Sequence, residues 1–244
     1  MYLCWSAKGG CGTTVIAATL GLVLSHQRPT TLVDLAGDSP ATLGMAEPSG
    51  PGVHDWLASP SADAAALHRL AVPATDALGL LPCGPPRPVA DTPTARWAQL
   101  ATSLSALAAE QAVVVDAGTG APPAPLLAAA QRRLLVLRPC YLALRRAVAQ
   151  ATPASGVVLV HEPGRALKAV DVERTLGLPV VAEVYYDPAV ARAVHHEGAE
   201  AAALRHRRSP GSPTGPRYPL RSRLRSPASG GRSRSPIPGR VVPW

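Results

Sequence analysis

The sequence contains no phenylalanine, and aromatic residues of every kind make up only 4% of its 244 positions. Much of the core must therefore be Val, Leu and Ala. Cysteine is also scarce. Cys4, Cys11, Cys83 and Cys140 are widely spaced and form no CxxC pair. That argues against a zinc site or a disulfide framework and makes a reducing cytoplasm the default setting. No stretch of about 18 apolar residues exists, so no membrane span is expected. The opening MYLCWSAKGG lacks a basic segment followed by an apolar run, so no signal peptide is expected. What is present is 47% apolar residues in a chain long enough for one α/β domain with a full core, or one domain plus a tail.

Acidic residues are missing altogether from the last forty positions. Residues 205–244 hold 10 Arg and no acid, whereas residues 1–204 hold 14 Lys and Arg against 16 Asp and Glu. The net charge of +8 is thus the sum of −2 in the body and +10 in the tail. The body carries no nucleic-acid footprint. The tail mixes Pro, Ser, Gly and Arg without a period and reads as disordered. Its eight prolines exclude an amphipathic membrane helix. Its arginines suit a peripheral contact with acidic lipid or nucleic acid. GC-rich coding sequence read out of frame yields the same composition. The helix pattern also breaks near His195, so a native tail and a frameshifted segment from residue 195 both stand as readings.

Between these ends, short apolar strands alternate with longer helical segments. Met1–Ala7 reads as a strand, Thr13–Ser25 as a helix apolar nearly all round and hence buried, and Thr30–Asp34 as a second strand. Ala36–Gly52 reads as a loop, Val53–Ala58 and Ala62–Leu70 as short helices, and Leu78–Leu81 as a strand stopped by Pro82. Residues 83–88 (CGPPRP) form a loop, Thr94–Glu110 a helix and Ala112–Asp116 a strand. Leu134–Leu137, Gly156–Val160 and Val180–Val184 are further strands, separated by helices over Leu142–Gln150 and Ala166–Leu176. Pro188–Leu204 is the last helix. This pattern predicts an α/β fold: a doubly wound, mostly parallel sheet over residues 1–204, with a disordered tail over 205–244.

The chemistry concentrates at the first turn. A strand, a glycine-rich turn and a helix N-terminus make an anion site. Glycine permits backbone angles that point several N–H groups inward, and the helix end adds partial positive charge. An ordinary P-loop reads GxxxxGK followed by Ser or Thr. Here Ser6-Ala7-Lys8-Gly9-Gly10-Cys11-Gly12-Thr13-Thr14 lacks both the leading Gly and the Lys before the final Thr.

That segment resembles the deviant P-loop, KGGxGK followed by Thr or Ser, of ParA/MinD-type ATPases. The resemblance extends to Leu32-Val33-Asp34, where the family's switch I begins, and to Val113-Val114-Val115-Asp116, which looks like its Walker B strand. The segments LVDLAGDSPATLG, GPGVHDWLA and RPCYLALRRA are similar to actinobacterial relatives described as septum-site-determining or pilus-localisation (CpaE/TadZ-like) proteins. The likeness covers roughly residues 1–195.

The resemblance implies a P-loop NTPase domain that binds ATP and Mg²⁺ and works as a homodimer. Its implied task is positioning division components or pilus and secretion machinery, in the cytoplasm or at the inner face of the membrane. Gly9, Gly10, Cys11, Gly12, Thr13 and Thr14 would line the phosphates. Lys8 would be the signature lysine that reaches a dimer partner's phosphates. Thr14 and Asp116 would hold Mg²⁺, and Asp34 would join them at the start of switch I. A plain tight turn at the loop, and turn-forming or helix-capping roles for Asp34 and Asp116, are the competing readings.

Two departures bear on catalysis. The phosphate-binding lysine is replaced by Thr13, and the second switch I aspartate by Ala36; Asp38, two residues later, is the candidate substitute. A missing phosphate-binding cation removes transition-state stabilisation. Weak or absent hydrolysis is therefore expected, with a non-enzymatic scaffold as the alternative and DNA partitioning through the tail as a third reading. Cys11 and Trp56 read as packing residues, and Arg132, Arg133, Arg145 and Arg146 as solvated helix ends. His195-His196-Glu197 reads as a helix end, since adjacent helical residues do not share a face. Arg138, at a strand end before Pro139, is a candidate contact to a nucleotide or partner.

Overall fold

Runs of Val and Leu in the first two thirds of the chain pair side by side instead of packing as hairpins, because each is followed by a helix that returns the chain to the same edge. The structure, a computed structural model, describes residues 1–85 and 92–187. Eight strands form one sheet: β1 (Tyr2–Ser6), β2 (Thr30–Asp34), β3 (Val72–Pro73), β4 (Leu78–Leu81), β5 (Ala112–Thr119), β6 (Arg132–Leu137), β7 (Gly156–His161) and β8 (Val180–Tyr185). Their spatial order is β3-β4-β2-β5-β1-β6-β7-β8. All pairings are parallel except β3 with β4. Strand β2 is buried at every position, as expected of an inner strand of a parallel sheet covered on both faces. The doubly wound α/β sheet read from the alternation is the observed fold.

Eight helices accompany the described strands: α1 (Thr13–Ser25), α2 (Ser39–Leu43), α3 (Val53–Ala58), α4 (Ala64–His68), α5 (Thr94–Glu110), α6 (Ala124–Ala129), α7 (Tyr141–Gln150) and α8 (Ala169–Leu176). The core is aliphatic, with Leu3, Leu32, Leu80, Leu100 and Val113–Val115 fully buried, and Trp5 is its one fully buried aromatic among the described residues.

Several expectations need correction. The loop expected over Ala36–Gly52 contains α2. Pro40 sits in its first turn, where proline costs no hydrogen bond, and Gly44 ends it in the left-handed conformation. Strand β3 and helix α6 were not expected at all; both are shorter than the window in which periodicity is readable. Helix α1 is not buried all round: Thr13, Ala17, Ala18 and Gly21 are buried, but Thr19 is exposed and the rest are half-buried, because only one face meets the sheet. Arg132 and Arg133 do not end a helix; they open β6, where Ser155 Oγ holds the Arg133 backbone from both sides. Arg145 and Arg146 are exposed but lie inside α7 instead of at its end. The expected helix over 188–204, the His195-His196-Glu197 reading, the tail boundary at 204 and the second half of the expected 83–88 loop lie outside the described residues. Among the described residues, no helix is long and apolar enough to cross a membrane.

The strand order places the site. From β1 the chain crosses to β2 on one side of β1, and from β5 it crosses to β6 on the other. Connections that leave in opposite directions open a crevice at the carboxyl ends of the strands. The loop after β1 lies at that crevice.

Candidate phosphate and magnesium site

The loop from Lys8 to Gly12 joins β1 to α1. Gly10 and Gly12 have φ of 78° and 88°, in the left-handed region that L side chains rarely adopt. A Cβ at either would meet nothing within 4 Å, so backbone angle and not crowding requires glycine there. Gly12 is the N-cap of α1 and provides no side-chain cap, and the first turn holds no acidic residue. The first N–H groups of a 13-residue helix thus face the loop without a side-chain acceptor, as an anion site requires. The Lys8 ammonium folds back to donate to the Gly9 carbonyl at 3.0 Å. Thr13 is buried and Thr14 half-buried.

Beneath the loop stand two fully buried carboxylates, paired in register on adjacent strands: Asp34 ends β2 beside Asp116 on β5. They are held differently. Asp34 Oδ1 accepts from the Ala36 and Gly37 N–H groups at 2.9 and 2.8 Å, and Oδ2 from the Ser39 N–H at 3.0 Å. Burial raises its pKa and these three donors pull it back. Asp116 Oδ1 accepts from the Gly118 N–H at 2.9 Å, but Oδ2 is buried with no hydrogen-bond partner. Burial pushes the Asp116 carboxyl up to about 6; the Thr14 hydroxyl and the Gly118 N–H oppose this, and the charges of Asp34 and Asp38 add to it. Asp38 itself is exposed at the start of α2.

The orphaned Oδ2, the Thr14 hydroxyl acting on the same carboxyl and the uncapped helix end all fit a magnesium ion carrying a polyphosphate. An unpaired buried carboxylate oxygen is costly, and a divalent cation is the group that would relieve it.

The other side of the loop is cationic. β6 runs parallel to β1 with Leu135 opposite Trp5, which sets Arg138, just past β6, alongside the start of the glycine loop. The Arg138 backbone N–H acts on the Cys11 thiol, and so do the charges of Lys8 and Arg138; all three lower a pKa that burial raises. The Arg138 guanidinium pairs with Glu162, whose other oxygen accepts from Arg165 Nε and Nη2 at 2.9 and 2.7 Å. A cavity of about 430 Å³ opens beside this pair, lined by Glu162, Pro163, Gly164, Arg165 and Tyr186.

The structure therefore brings Lys8, Gly9, Gly10, Cys11, Gly12, Thr13, Thr14, Asp34 and Asp116 to one crevice. Cys11 is buried beneath the loop, and Trp56 is buried in the core with Arg96 stacked over its ring at 4.1 Å. Three further residues at the site have roles that the sequence does not assign. Ser6 donates to the Lys8 carbonyl at 3.0 Å and ties the loop to β5. Gly118 lies so close to the switch I loop that a Cβ would meet the Ala36 Cβ at 3.1 Å. Glu162 follows β7 and is far from the loop in sequence. Only the location of Ser6 next to the P-loop signature could have flagged it.

No protein-family model and no curated protein matches the sequence. Solved structures do match. A ParA family ATPase from Chlorobium tepidum superposes with a TM-score of 0.68 at 20% identity, over 85% of this chain and 93% of that one. The fold is of the ParA/MinD type. The MinC–MinD cell division complex of Aquifex aeolicus matches with a TM-score of 0.67 at 16% identity, over 90% of this chain and 100% of that one. The septum site-determining protein MinD of Pyrococcus horikoshii, complexed with Mg-ADP, gives 0.61 at 18% identity, over 82% of this chain and 92% of that one. At these identities the ParA/MinD-type likeness establishes the fold.

Proposed function

We propose that this chain is a nucleotide-dependent positioning protein that binds ATP with Mg²⁺, dimerises, and recruits components of the division site or of a pilus or secretion machine. The observation that carries the reading is the unpartnered Oδ2 of Asp116 beneath an uncapped helix N-terminus and a loop with two left-handed glycines. Gly9, Gly10, Cys11 and Gly12 offer backbone N–H groups to phosphate, Thr14 and Asp116 hold the metal, and Lys8, on release from the Gly9 carbonyl, reaches a second copy. When bound, magnesium neutralises charge on the phosphate oxygens. The sequence likeness to septum-site-determining and CpaE/TadZ-like proteins, and the MinD and ParA folds, support the positioning role.

A second reading is a scaffold of the same fold that binds nucleotide without turning it over. Thr13 supplies no charge where a lysine would sit. Ala36 has no carboxylate, and the Asp34 carboxylate is committed to three N–H groups of its own loop. Asp38 is the remaining acid near the crevice that could orient water. Partitioning through nucleic acid would rest on the tail alone.

Calorimetric titration of the full chain with ATP and Mg²⁺, with phosphate release followed alongside, tests both. Tight, Mg²⁺-dependent binding lost in Asp116→Ala is expected, with little release. Brisk release abolished by Asp116→Ala supports the enzyme over the scaffold. No binding by the parent chain sinks the nucleotide reading.

A further inference from the structure

We infer that Arg138 supplies the phosphate-binding cation that position 13 lacks, and that it does so by exchanging its Glu162 partner for a phosphate oxygen of the bound nucleotide. The inference rests on the nucleotide-binding reading and adds to it a residue that no P-loop pattern contains. The chain places Thr where the resembling P-loops carry a lysine, so the cradle needs positive charge from elsewhere. Arg138 directly follows β6, the strand that runs parallel to β1 at roughly 4.8 Å. Its backbone N–H and its charge both act on Cys11, in the middle of the loop. Among the described residues on this rim it is joined by Lys8, whose ammonium is turned onto the Gly9 carbonyl, and by Arg165.

The guanidinium is only partly used. It pairs with Glu162 through Nη1, while Nε is buried without an acceptor. A planar guanidinium fork with an idle donor matches a phosphate, which offers two oxygens at the spacing of the fork. The exchange is also cheap on the acid's side. Glu162 keeps Arg165 through two hydrogen bonds after Arg138 leaves, so no carboxylate is stranded. Side-chain exposures of 30% for Arg138 and 18% for Glu162 leave the pair open enough to part. Glu162 thus acts as a placeholder anion, and anion exchange on one arginine replaces the fixed lysine of an ordinary P-loop.

The experiment is calorimetric titration of the full chain with ATP and ADP in Mg²⁺, for the parent, Arg138→Gln, Arg138→Lys, Glu162→Gln and the double variant Thr13→Lys/Arg138→Gln. Arg138→Gln should weaken ATP binding about tenfold or more, the scale of one charge-assisted hydrogen-bond pair. Arg138→Lys should recover part of the loss, and Thr13→Lys should restore binding in the Arg138→Gln background. Glu162→Gln, which removes the competing anion, should tighten binding severalfold. Parent-like affinity in a folded Arg138→Gln overturns the inference and leaves the nucleotide reading intact. Should Arg138→Gln not fold, unchanged or weakened binding in Glu162→Gln overturns it equally. A parent chain that binds neither nucleotide overturns both.

Discussion

The two walls of the crevice are built on opposite electrostatic plans. On the β2–β5 side stand Asp34, Asp116 and, further out, Asp38, with no cation hydrogen-bonded to any of them among the described contacts. On the β6–β7 side stand Arg138, Glu162 and Arg165, mutually paired and partly exposed. On the first wall Asp116 is buried with one oxygen unpartnered, so it holds strain that a divalent cation would relieve. The second wall is partly exposed and mutually paired, with one more cation than anion, so its groups can change partners at small cost. A metal-bound polyphosphate laid between them would meet a fixed acid on one side and an exchangeable arginine on the other. The walls differ in depth as well as sign, and depth decides the energies, because a buried charge interacts far more strongly than a solvated one.

The comparison can be broken most severely at Asp34. Asp34→Ala removes the acceptor of three backbone N–H groups. It should lower stability by about 2–4 kcal/mol, read as an earlier urea midpoint. Its neighbour in register should behave oppositely. Asp116→Asn replaces a destabilised buried carboxylate by a neutral group that keeps the Gly118 hydrogen bond. Without ligand at pH 7 it should raise stability by up to about 3 kcal/mol, the equivalent of moving a pKa from 3.8 to about 6. The same variant should lose Mg²⁺-dependent nucleotide binding, so a gain in stability and a loss of binding appear together.

The pH dependence follows in sign. A carboxyl whose folded pKa is raised favours folding while it is protonated. Its contribution is fully present below pH 3.8 and is lost as pH rises through about 6. Denaturation midpoints of the parent, corrected against Asp116→Asn, should therefore fall across that window. A residual slope should persist in the variant, because burial raises Asp34 as well. A flat difference between the two proteins would falsify the strained-acid account of this wall.

Smaller effects sharpen the picture. Gly12→Ala forces an L side chain to φ near 88° where a Cβ has open space, so its cost should be backbone conformation alone, about 1–2 kcal/mol by urea denaturation. On the other wall, Glu162→Gln should change stability by less than about 1 kcal/mol, since partly exposed ion pairs contribute little. Should Glu162→Gln prove as costly as Asp34→Ala, the second wall is a structural brace and not an exchangeable one.

Much of the fold was legible because its signals are local. Thr13–Ser25, Thr30–Asp34, Val53–Ala58, Leu78–Leu81 and Thr94–Glu110 have the bounds expected from apolar runs and their punctuation. Helices α2 and α6 were not, since five or six residues do not span two turns of a periodic pattern. The fate of Arg132 and Arg133 was misread for a related reason: charged residues at the mouth of a strand look like a helix end until the neighbouring strand is known. The turn between β1 and α1 was legible in its glycines. Asp34 was legible as a strand end; β5 instead runs past Asp116 to Thr119, because its backbone goes on pairing with β1, and which carboxylate finds donors in its own loop was not legible.

Contiguous residues alone specify a βαβ unit with a glycine turn, a loop that resembles a deviant P-loop without its second lysine, and the strand–helix alternation of a doubly wound sheet. Only the tertiary structure decided that Asp34 is satisfied by its own loop while Asp116 is not, and that Arg138 stands beside the loop with Glu162 as its partner. Those distinctions depend on which strands become neighbours and how deeply each charge is buried, and both are set by long-range pairing that no local pattern encodes.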